Sequence, residues 1–217
     1  YHGIELSDDY AWLKAPNWQE EMRSPDALPA DIRDQLEAEN AHTMDVLNET
    51  ETLQAALFAE MKGRIKEDDS NVPSPDGPFA YYTSHVTGGE YPLVCRQLRA
   101  GGSEEVLLDG NLLAKELAYF QLGHTEHSPD HRLLAYTVDD KGSEFHTLRV
   151  RDLATGRDLP DVVPETAGSV VWASDNRTLF YVKLDANHRP FAVYRHRLGT
   201  DTAGDALVYQ ESDPGFF

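Results

Sequence analysis

The sequence predicts a mostly β protein with a helical arm at its N-terminal end. Two features of the 217 residues support this prediction. Apolar residues occur at helical spacing up to about residue 65, and a pattern of alternating apolar residues occurs three times beyond residue 75. Hydrophobic residues make up 40% of the chain and charged residues 26%, so there is enough apolar material for a packed core.

The front of the chain predicts an arm followed by helix. Residues 1–28 contain Trp12 and Trp18 between prolines and predict an extended arm anchored by aromatic side chains. From Asp31 to about Lys62 the sequence has a helical period, in which mostly apolar residues recur at the spacing of one helical face. These residues are Ile32, Leu36, Thr43, Leu47, Leu53, Leu57, Phe58, Met61 and Ile65.

Two helices are predicted here rather than one, because Asn48 followed by Glu51 is typical of a new helix N-terminus. Neither helix can bury its apolar face alone, so both are expected to pack on a later domain or on a part of the protein outside these residues. Prolines and a glycine then interrupt residues 64–78. We therefore expect one domain over residues 1–75 and a second over residues 76–217.

An internal repeat follows this boundary. Each copy begins with an aspartate in a turn, a tyrosine follows six residues later, and a second aromatic residue follows fifteen or sixteen residues after the aspartate. The three sets are Asp76, Tyr82 and Tyr91; Asp130, Tyr136 and Phe145; and Asp175, Tyr181 and Phe191. An ordinary antiparallel domain with coincidental turns is the alternative, but it gives no reason for the shared spacing.

The residue types in the turn that opens each copy predict its backbone conformation. An aspartate in such a turn accepts hydrogen bonds from its own backbone. The residue after it often adopts a positive φ, and Gly77, His131 and Asn176 are residue types that tolerate that conformation. We therefore predict positive φ at these three positions.

Each copy contains four short runs of strand composition within about 45–55 residues, which is the pattern of a β-propeller blade. Residues 118–128 and 167–174 predict the first strands of the second and third blades. Propellers close with roughly four to eight blades. The sequence thus predicts the first three blades of a longer propeller, with SDPGFF (residues 212–217) opening a fourth, and we expect the chain to be the front part of a longer protein.

The amino-acid composition limits the binding partners and the cellular compartment that we expect for this protein. The net charge of −19 repels nucleic acid and anionic membranes and attracts basic peptides. There is no apolar run of the roughly 18 residues that a membrane span needs. A single cysteine, Cys95, excludes an internal disulfide and favours a reducing compartment. We expect a cytoplasmic protein, and a periplasmic one stays open because the chain begins at Tyr1.

Several local motifs suggest chemistry and are better explained by structure. His124, His127 and His131 have a spacing that suits a metal only on a helix or a tailored loop, so we interpret them as exposed turn histidines. The acidic loops at residues 139–144 and 185–190 lack the spaced carboxylates of a calcium loop. Residues 87–90 (TGGE) lack the lysine of a phosphate loop and predict a hairpin turn.

A serine, an aspartate and a histidine occur together as Ser128, Asp130 and His131, but neighbours in one turn point apart and do not form a catalytic relay. We therefore predict no catalytic, cofactor-binding or metal-binding residue in this chain.

Two further interpretations concern charged and aromatic side chains. Arg149, Arg151, Arg195 and Arg197 alternate along strands and either face a channel or, as we favour, pair with carboxylates. Trp172 and Tyr181 are expected in the core between neighbouring sheets.

Longer segments carry a resemblance. They are DDYAWLKAPNW (8–18), QLEAENAHT (35–43), EMKGRIKEDDSNVP (60–73), YPLVCRQ (91–97), EEVLLDGN (104–111), SPDHRLLAYTVDDKGSEFHTLRVRDLATG (128–156), VVWASDNRTLFYVKLDANHRP (170–190) and HRLGTD (196–201). Together they resemble the prolyl oligopeptidase family of serine peptidases, and within it the oligopeptidase B branch. The resemblance extends over essentially the whole chain.

The resemblance implies a seven-bladed, unclosed propeller joined to an α/β-hydrolase domain. It implies that the N-terminal arm packs on the hydrolase domain and that the propeller restricts the active-site cavity to short peptides. Members of the oligopeptidase B branch cleave after Arg or Lys, without a metal or organic cofactor.

The nucleophile, acid and base of this family lie after the propeller, and no Gly-x-Ser-x-Gly elbow occurs in these residues. We therefore expect this chain alone to be inactive. Two alternatives stay open. One is a self-standing propeller-like module that binds proteins or basic peptides without chemistry. The other is self-association through open blade edges, including the pairing of three-bladed chains into a six-bladed ring.

Overall fold

The computed structural model describes residues 2–5 and 7–216, so Phe217 at the end of the predicted fourth-blade segment lies outside the described residues, as do Tyr1 and Leu6. The chain divides into two compact units, Tyr1–Lys66 and Glu67–Phe217. We call them the arm unit and the sheet unit.

The arm unit is helical. Helix α1 covers Trp18–Arg23, α2 covers Ala30–Leu47 and α3 covers Glu51–Gly63, so the prediction of two helices after residue 30 is confirmed. The prediction that residues 1–28 are extended is wrong, because 3-10 turns form at Ala11–Leu13 and Pro25–Ala27 on either side of α1. Proline in the first turn and acidic residues near a helix N-terminus favour these short helices.

Helices α2 and α3 are separated at the predicted place by a 3-10 turn, Asn48–Thr50. The predicted cap at Asn48 is wrong in detail. Thr50 immediately precedes α3, and its hydroxyl donates to the Leu47 carbonyl at 2.7 Å instead of capping the new helix.

The sheet unit begins with a four-stranded antiparallel sheet in the order β1-β2-β3-β4. The strands are β1 (Ser74–Asp76), β2 (Phe79–Ser84), β3 (Leu93–Leu98) and β4 (Glu105–Asp109). A short helix that the sequence analysis did not predict, α4 (Gly110–Ala114), follows β4. The Asp109 side chain caps it by accepting the backbone N–H groups of Asn111 and Leu112.

The second sheet has seven antiparallel strands in the order β11-β10-β9-β8-β7-β6-β5. The strands are β5 (Gln121–His127), β6 (Leu133–Asp139), β7 (His146–Asp152), β8 (Arg157–Trp172), β9 (Thr178–Leu184), β10 (Pro190–Arg197) and β11 (Ala206–Gln210). These strands match the predicted second and third repeats. We call β1–β4 the first blade, β5 to the front of β8 the second, and the back of β8 to β11 the third.

Strand β8 is 16 residues long because it serves two blades. Its front half pairs with β7, and its back half pairs with β9. The exchange occurs where Glu165 and Gly168 adopt φ angles of 58° and 88°, and the register shifts on both sides of this point. Positive φ at these two positions bends the strand from one partner to the other.

Two apolar clusters fill the space between blades. One joins the first two blades through Val94, Leu107, Leu108, Leu134 and Tyr136. The other joins the second and third blades through Ala135, Leu148, Val150, Val163, Val170, Trp172, Leu179 and Tyr181, which confirms the prediction for Trp172 and Tyr181. Each fully buried large side chain contributes about 1.5–3 kcal/mol to folding, so these junctions hold the blades together.

Candidate functional site

The repeated tyrosine of each blade is tied to a carboxylate near the fourth strand. Tyr136 donates its hydroxyl to Asp158 at 2.6 Å, and Tyr181 donates to Asp205 at 2.8 Å. Tyr82 makes the same bond to Glu104 at 2.6 Å. The acidic partner lies just over twenty residues after each tyrosine, a second periodic signal in the sequence that the analysis missed.

These bonds favour the protonated phenols. Burial, and then the carboxylate that accepts the hydrogen bond, raise the pKa of Tyr82 to about 12. The same two causes raise the pKa of Tyr136 and of Tyr181 above the ordinary value of a tyrosine. The tyrosines are therefore structural braces that stay protonated at neutral pH.

A buried charged node lies in the third blade. His196 is fully buried, and its ring nitrogens face Asp205 Oδ1 at 2.8 Å and Asp161 Oδ1 at 3.0 Å. Tyr181 donates to the other oxygen of Asp205, and the backbone N–H of Gly199 donates to Asp161. Both ring nitrogens of His196 and both carboxylates of the node thus have hydrogen-bond partners, which is what buried polar groups need.

The arm unit exposes an apolar stripe. Along α3, apolar residues at i, i+4 and i+8 lie on one helix face, and none of the 13 residues of α3 is buried. The exposed large apolar side chains of α2, α3 and the following turn are Leu36, Met44, Val46, Leu47, Leu53, Leu57, Phe58, Met61 and Ile65. We call this set the helical stripe. An exposed apolar surface of this size is typical of an interaction site.

The third blade also has an open face. In the second blade, residues 134–137 of β6 are buried on both faces of the sheet. In the third blade Leu179 is buried, but the opposite face carries Phe180 and Val182, which are half-buried, and Val171, which is paired with Phe180 and is 60% exposed. This outer face is apolar and lacks the cover that the second blade has among the described residues.

The contact between the first and second blades, which we call the first blade junction, brings Asp76 together with His127 and His131. The sequence analysis did not connect Asp76 with these histidines. Asp76 Oδ2 lies 2.7 Å from His127 Nε2, and His131 Nδ1 lies 2.8 Å from the hydroxyl of Tyr81. The rings of Tyr81 and His127 stack with centroids 3.7 Å apart. The hydrogen bond from His127 is the main cause that lowers the pKa of Asp76.

His124 does not join this cluster. Its ring nitrogen lies 3.3 Å from Glu126 on the same strand, and both side chains are about half exposed. His124 is therefore exposed, as interpreted, although it lies on strand β5 and not in a turn; the interpretation is wrong for His127, whose side chain is only 17% exposed. The group was missed because Asp76 comes from the preceding repeat.

Ser128, Asp130 and His131 form a turn brace. The buried Ser128 hydroxyl donates to Asp130 at 2.6 Å and accepts the backbone N–H of Leu133. The His131 ring nitrogen Nδ1 faces Tyr81, not the serine. This geometry provides neither a free hydroxyl nor a base directed at one.

The acidic loops bind their own backbone. The buried Asp139 accepts the N–H groups of Lys141, Gly142 and Glu144. Asp185 accepts those of Asn187 and Arg189, and the backbone bond from Arg189 is the main cause that lowers its pKa. These carboxylates act as turn caps.

Two smaller predictions can also be placed. In the TGGE segment, the N–H of Gly89 closes a turn onto the Val86 carbonyl, as a hairpin turn requires. Among the four arginines, Arg151 pairs with Asp158 at 2.8 Å, which confirms the predicted carboxylate pairing at that position.

None of the helices in the described ranges combines the length and the apolar character of a bilayer span.

Comparison with known proteins places these observations in a family. The family described as the prolyl oligopeptidase N-terminal β-propeller domain matches residues 1–217. Dipeptidyl aminopeptidase BI of Pseudoxanthomonas mexicana is 37% identical, and the match includes 100% of the chain and 31% of that protein. Protease 2 of Moraxella lacunata is 31% identical over 99% of the chain and 31% of its own length. The chain thus spans about a third of these relatives.

Solved structures agree with the sequence comparisons. Oligopeptidase B from Leishmania major superposes with a TM-score of 0.84 at 29% identity, over 90% of the chain and 28% of that structure. Oligopeptidase B from Trypanosoma brucei, in a closed form with covalently bound antipain, gives the same TM-score and identity over 95% of the chain and 28% of its own. Both superpositions extend over nearly the whole chain and a minor part of a larger enzyme.

Proposed function

The chain belongs to the prolyl oligopeptidase family as an N-terminal β-propeller domain, and from this premise we propose that it anchors and gates the catalytic domain of a serine peptidase that cleaves short peptides after basic residues. The observation that carries the proposal is the family match over all 217 residues. The relatives with printed functions are peptidases.

The two open apolar surfaces fit this role. The helical stripe is the surface on which a catalytic domain would pack, and burial of Leu57, Phe58 and Met61 would supply the stabilisation that the isolated helices lack. The open face of the third blade, with Val171 and Phe180, would receive a fourth blade. In the 217-residue chain alone, both surfaces favour self-association.

The charge of the chain supports a preference for basic peptides. At a net charge of −19, the propeller domain raises the local concentration of cationic peptides near an entrance to the catalytic cavity. This steering weakens as salt screens the field, over a distance of about 10 Å at 0.1 M ionic strength. The same negative field disfavours nucleic acid and anionic membranes as partners, and a cytoplasmic enzyme fits the single thiol.

The test is an assay of the parent polypeptide with two fluorogenic Arg-Arg substrates, one with a blocked and one with a free amino terminus. Cleavage of the blocked peptide supports an oligopeptidase B-like endopeptidase. Cleavage of the free peptide alone points instead to the activity in the name of dipeptidyl aminopeptidase BI. Failure of both, with no Gly-x-Ser-x-Gly in the sequence that follows Phe217, would favour the self-standing binding module. The 217-residue chain is the matched control and should not cleave either substrate.

A further inference from the structure

The first blade junction carries a set of metal-type ligands that the peptidase reaction does not use. We propose that Asp76, His127 and His131 bind one transition-metal dication, with Zn²⁺ as the ion to test first, and that this ion links the first blade to the second.

The geometry is close to what an ion requires. Within residues 2–5 and 7–216, one ligand atom from each of these three residues lies within 4.8 Å of the other two. A tetrahedral zinc site with bonds of about 2.0–2.1 Å places its ligand atoms about 3.3 Å apart. Asp76 Oδ2 and His127 Nε2 are 2.7 Å apart, so they must separate slightly while His131 moves inward. The Asp76 side chain is 62% exposed and can make this adjustment.

Surrounding residues hold the two imidazoles in place. Tyr81 stacks on His127, and its hydroxyl lies 2.8 Å from Nδ1 of His131, which leaves Nε2 of His131 for the ion. Arg96 donates to the backbone carbonyl of His131 at 2.7 Å. A ligand histidine whose other nitrogen is bonded to a neighbouring group is the usual arrangement at protein metal sites.

Gly77 also contributes to the arrangement. It adopts a φ of 50°, and a Cβ atom at this position would lie 2.3 Å from His131 Nε2. Only a residue without a side chain lets the imidazole come this close to Asp76. The glycine is therefore needed both for the turn and for the cluster.

The second blade junction shows what the same positions do without such ligands. There Asn176 occupies the position of His131, and its side chain accepts the backbone N–H of Asp130. Trp172 occupies the position of His127 and donates to the Glu126 carbonyl. The second junction is closed by hydrogen bonds between these two side chains and backbone groups, whereas the first has two imidazoles at the equivalent places.

A register difference frees the carboxylate of the first repeat. Asp175 accepts the backbone N–H groups of Arg177 and Thr178 and so caps its own turn. Asp76 instead lies in strand β1 opposite Phe79, and its carboxylate reaches His127 in the next blade. Asp76 accepts a hydrogen bond from the backbone of Gly77 but not from the two later backbone N–H groups that Asp175 accepts, and the reason is this tighter hairpin.

The donor set selects the class of ion. Two imidazoles and one carboxylate suit Zn²⁺ and its neighbours, whereas Mg²⁺ and Ca²⁺ prefer sites built from oxygen. The ion takes the place of the hydrogen bond between His127 Nε2 and Asp76, and the neutral imidazole then carries its single proton on Nδ1. Water fills the remaining position. The role is structural: the ion joins β1 to the β5–β6 turn and takes no part in peptide hydrolysis.

The test is calorimetric titration of the 217-residue chain with ZnCl₂, repeated with MgCl₂, and a thermal melt with and without Zn²⁺. We expect one saturable Zn²⁺ site, a higher melting temperature with Zn²⁺ and no comparable effect of Mg²⁺. Asp76→Asn and His127→Gln should abolish this site. Tyr81→Phe, which removes the hydroxyl that contacts His131 and Arg96 but keeps the ring stacked on His127, should weaken it about 10- to 100-fold.

His124→Gln is the matched control, because His124 lies on the same strand outside the cluster and should leave Zn²⁺ binding unchanged. Circular dichroism of each variant without metal verifies the fold, and Asp76→Asn, at an exposed side chain, keeps the test valid if His127→Gln does not fold. No saturable Zn²⁺ binding by the chain would overturn the proposal. Equal binding by Asp76→Asn and the unaltered chain would overturn it too.

Discussion

The buried node around His196 allows the sharpest test of how the third blade is stabilised. Replacing His196 with leucine removes the imidazole that Asp161 and Asp205 share, and their side chains are only 5% and 3% exposed. Removing one partner from a buried ionic group costs about 3–5 kcal/mol, because a charge is left without compensation. We therefore expect His196→Leu to lower the free energy of unfolding by this amount.

The measurement is urea unfolding at pH 7, followed by circular dichroism and by tryptophan fluorescence. With a typical urea dependence of about 2 kcal/mol per molar, the midpoint should fall by about 2 M. His124→Leu removes an exposed histidine and should change stability by less than about 0.5 kcal/mol. In an Asp161→Asn background, His196→Leu should cost less, because one uncompensated charge is gone. A loss below about 1 kcal/mol in the unaltered background would show that His196 does not compensate the buried carboxylates.

Three further predictions follow from the blades. The folded-state pKa values of Tyr136 and Tyr181 are raised, so the free energy of unfolding should be constant below pH 10 and fall as the pH rises above the unfolded-state pKa. Unfolding measured from pH 8 to 11.5 should show a smaller fall in the Tyr136→Phe/Tyr181→Phe double variant. An equal fall in both proteins would contradict this cause. The buried thiol of Cys95, whose pKa burial raises to about 12, should not react with a thiol reagent at pH 8 until urea unfolds the chain, and rapid labelling of the native chain would show that the first blade opens. Gly168→Ala should lower the free energy of unfolding in urea by about 1–3 kcal/mol, because Gly168 has a φ of 88° where β8 changes partners. Gly204→Ala, with open space around the glycine, should lower it less. Equal losses in the two variants would count against backbone strain at Gly168.

Much of the fold could be predicted from local sequence. The Asp-to-Tyr spacing fixed the place of β2, β6 and β9, and the positive φ values of 50°, 62° and 59° at Gly77, His131 and Asn176 confirm the predicted turns. These features depend on residues close together in the chain, where composition and turn chemistry decide the conformation.

The remaining features depend on contacts between distant residues. The continuous strand β8 joins two predicted strands, because Glu165 and Gly168 bend the chain without ending its pairing. The approach of Asp76 to His127 depends on a two-residue register difference in one hairpin, which no periodicity reveals. Spacing within one repeat suggested His124, His127 and His131, whereas the cluster joins two repeats.

We propose that the helical stripe packs on the catalytic domain of a larger peptidase. The most direct test of this proposal is oxidative footprinting of Met44 and Met61, which are 73% and 60% exposed, in the 217-residue chain and in the parent polypeptide. We expect rapid oxidation of both methionines in a monomeric sample of the chain and strong protection of both in the parent. Equal oxidation of these methionines in the two samples would contradict the claim that this surface packs on a catalytic domain.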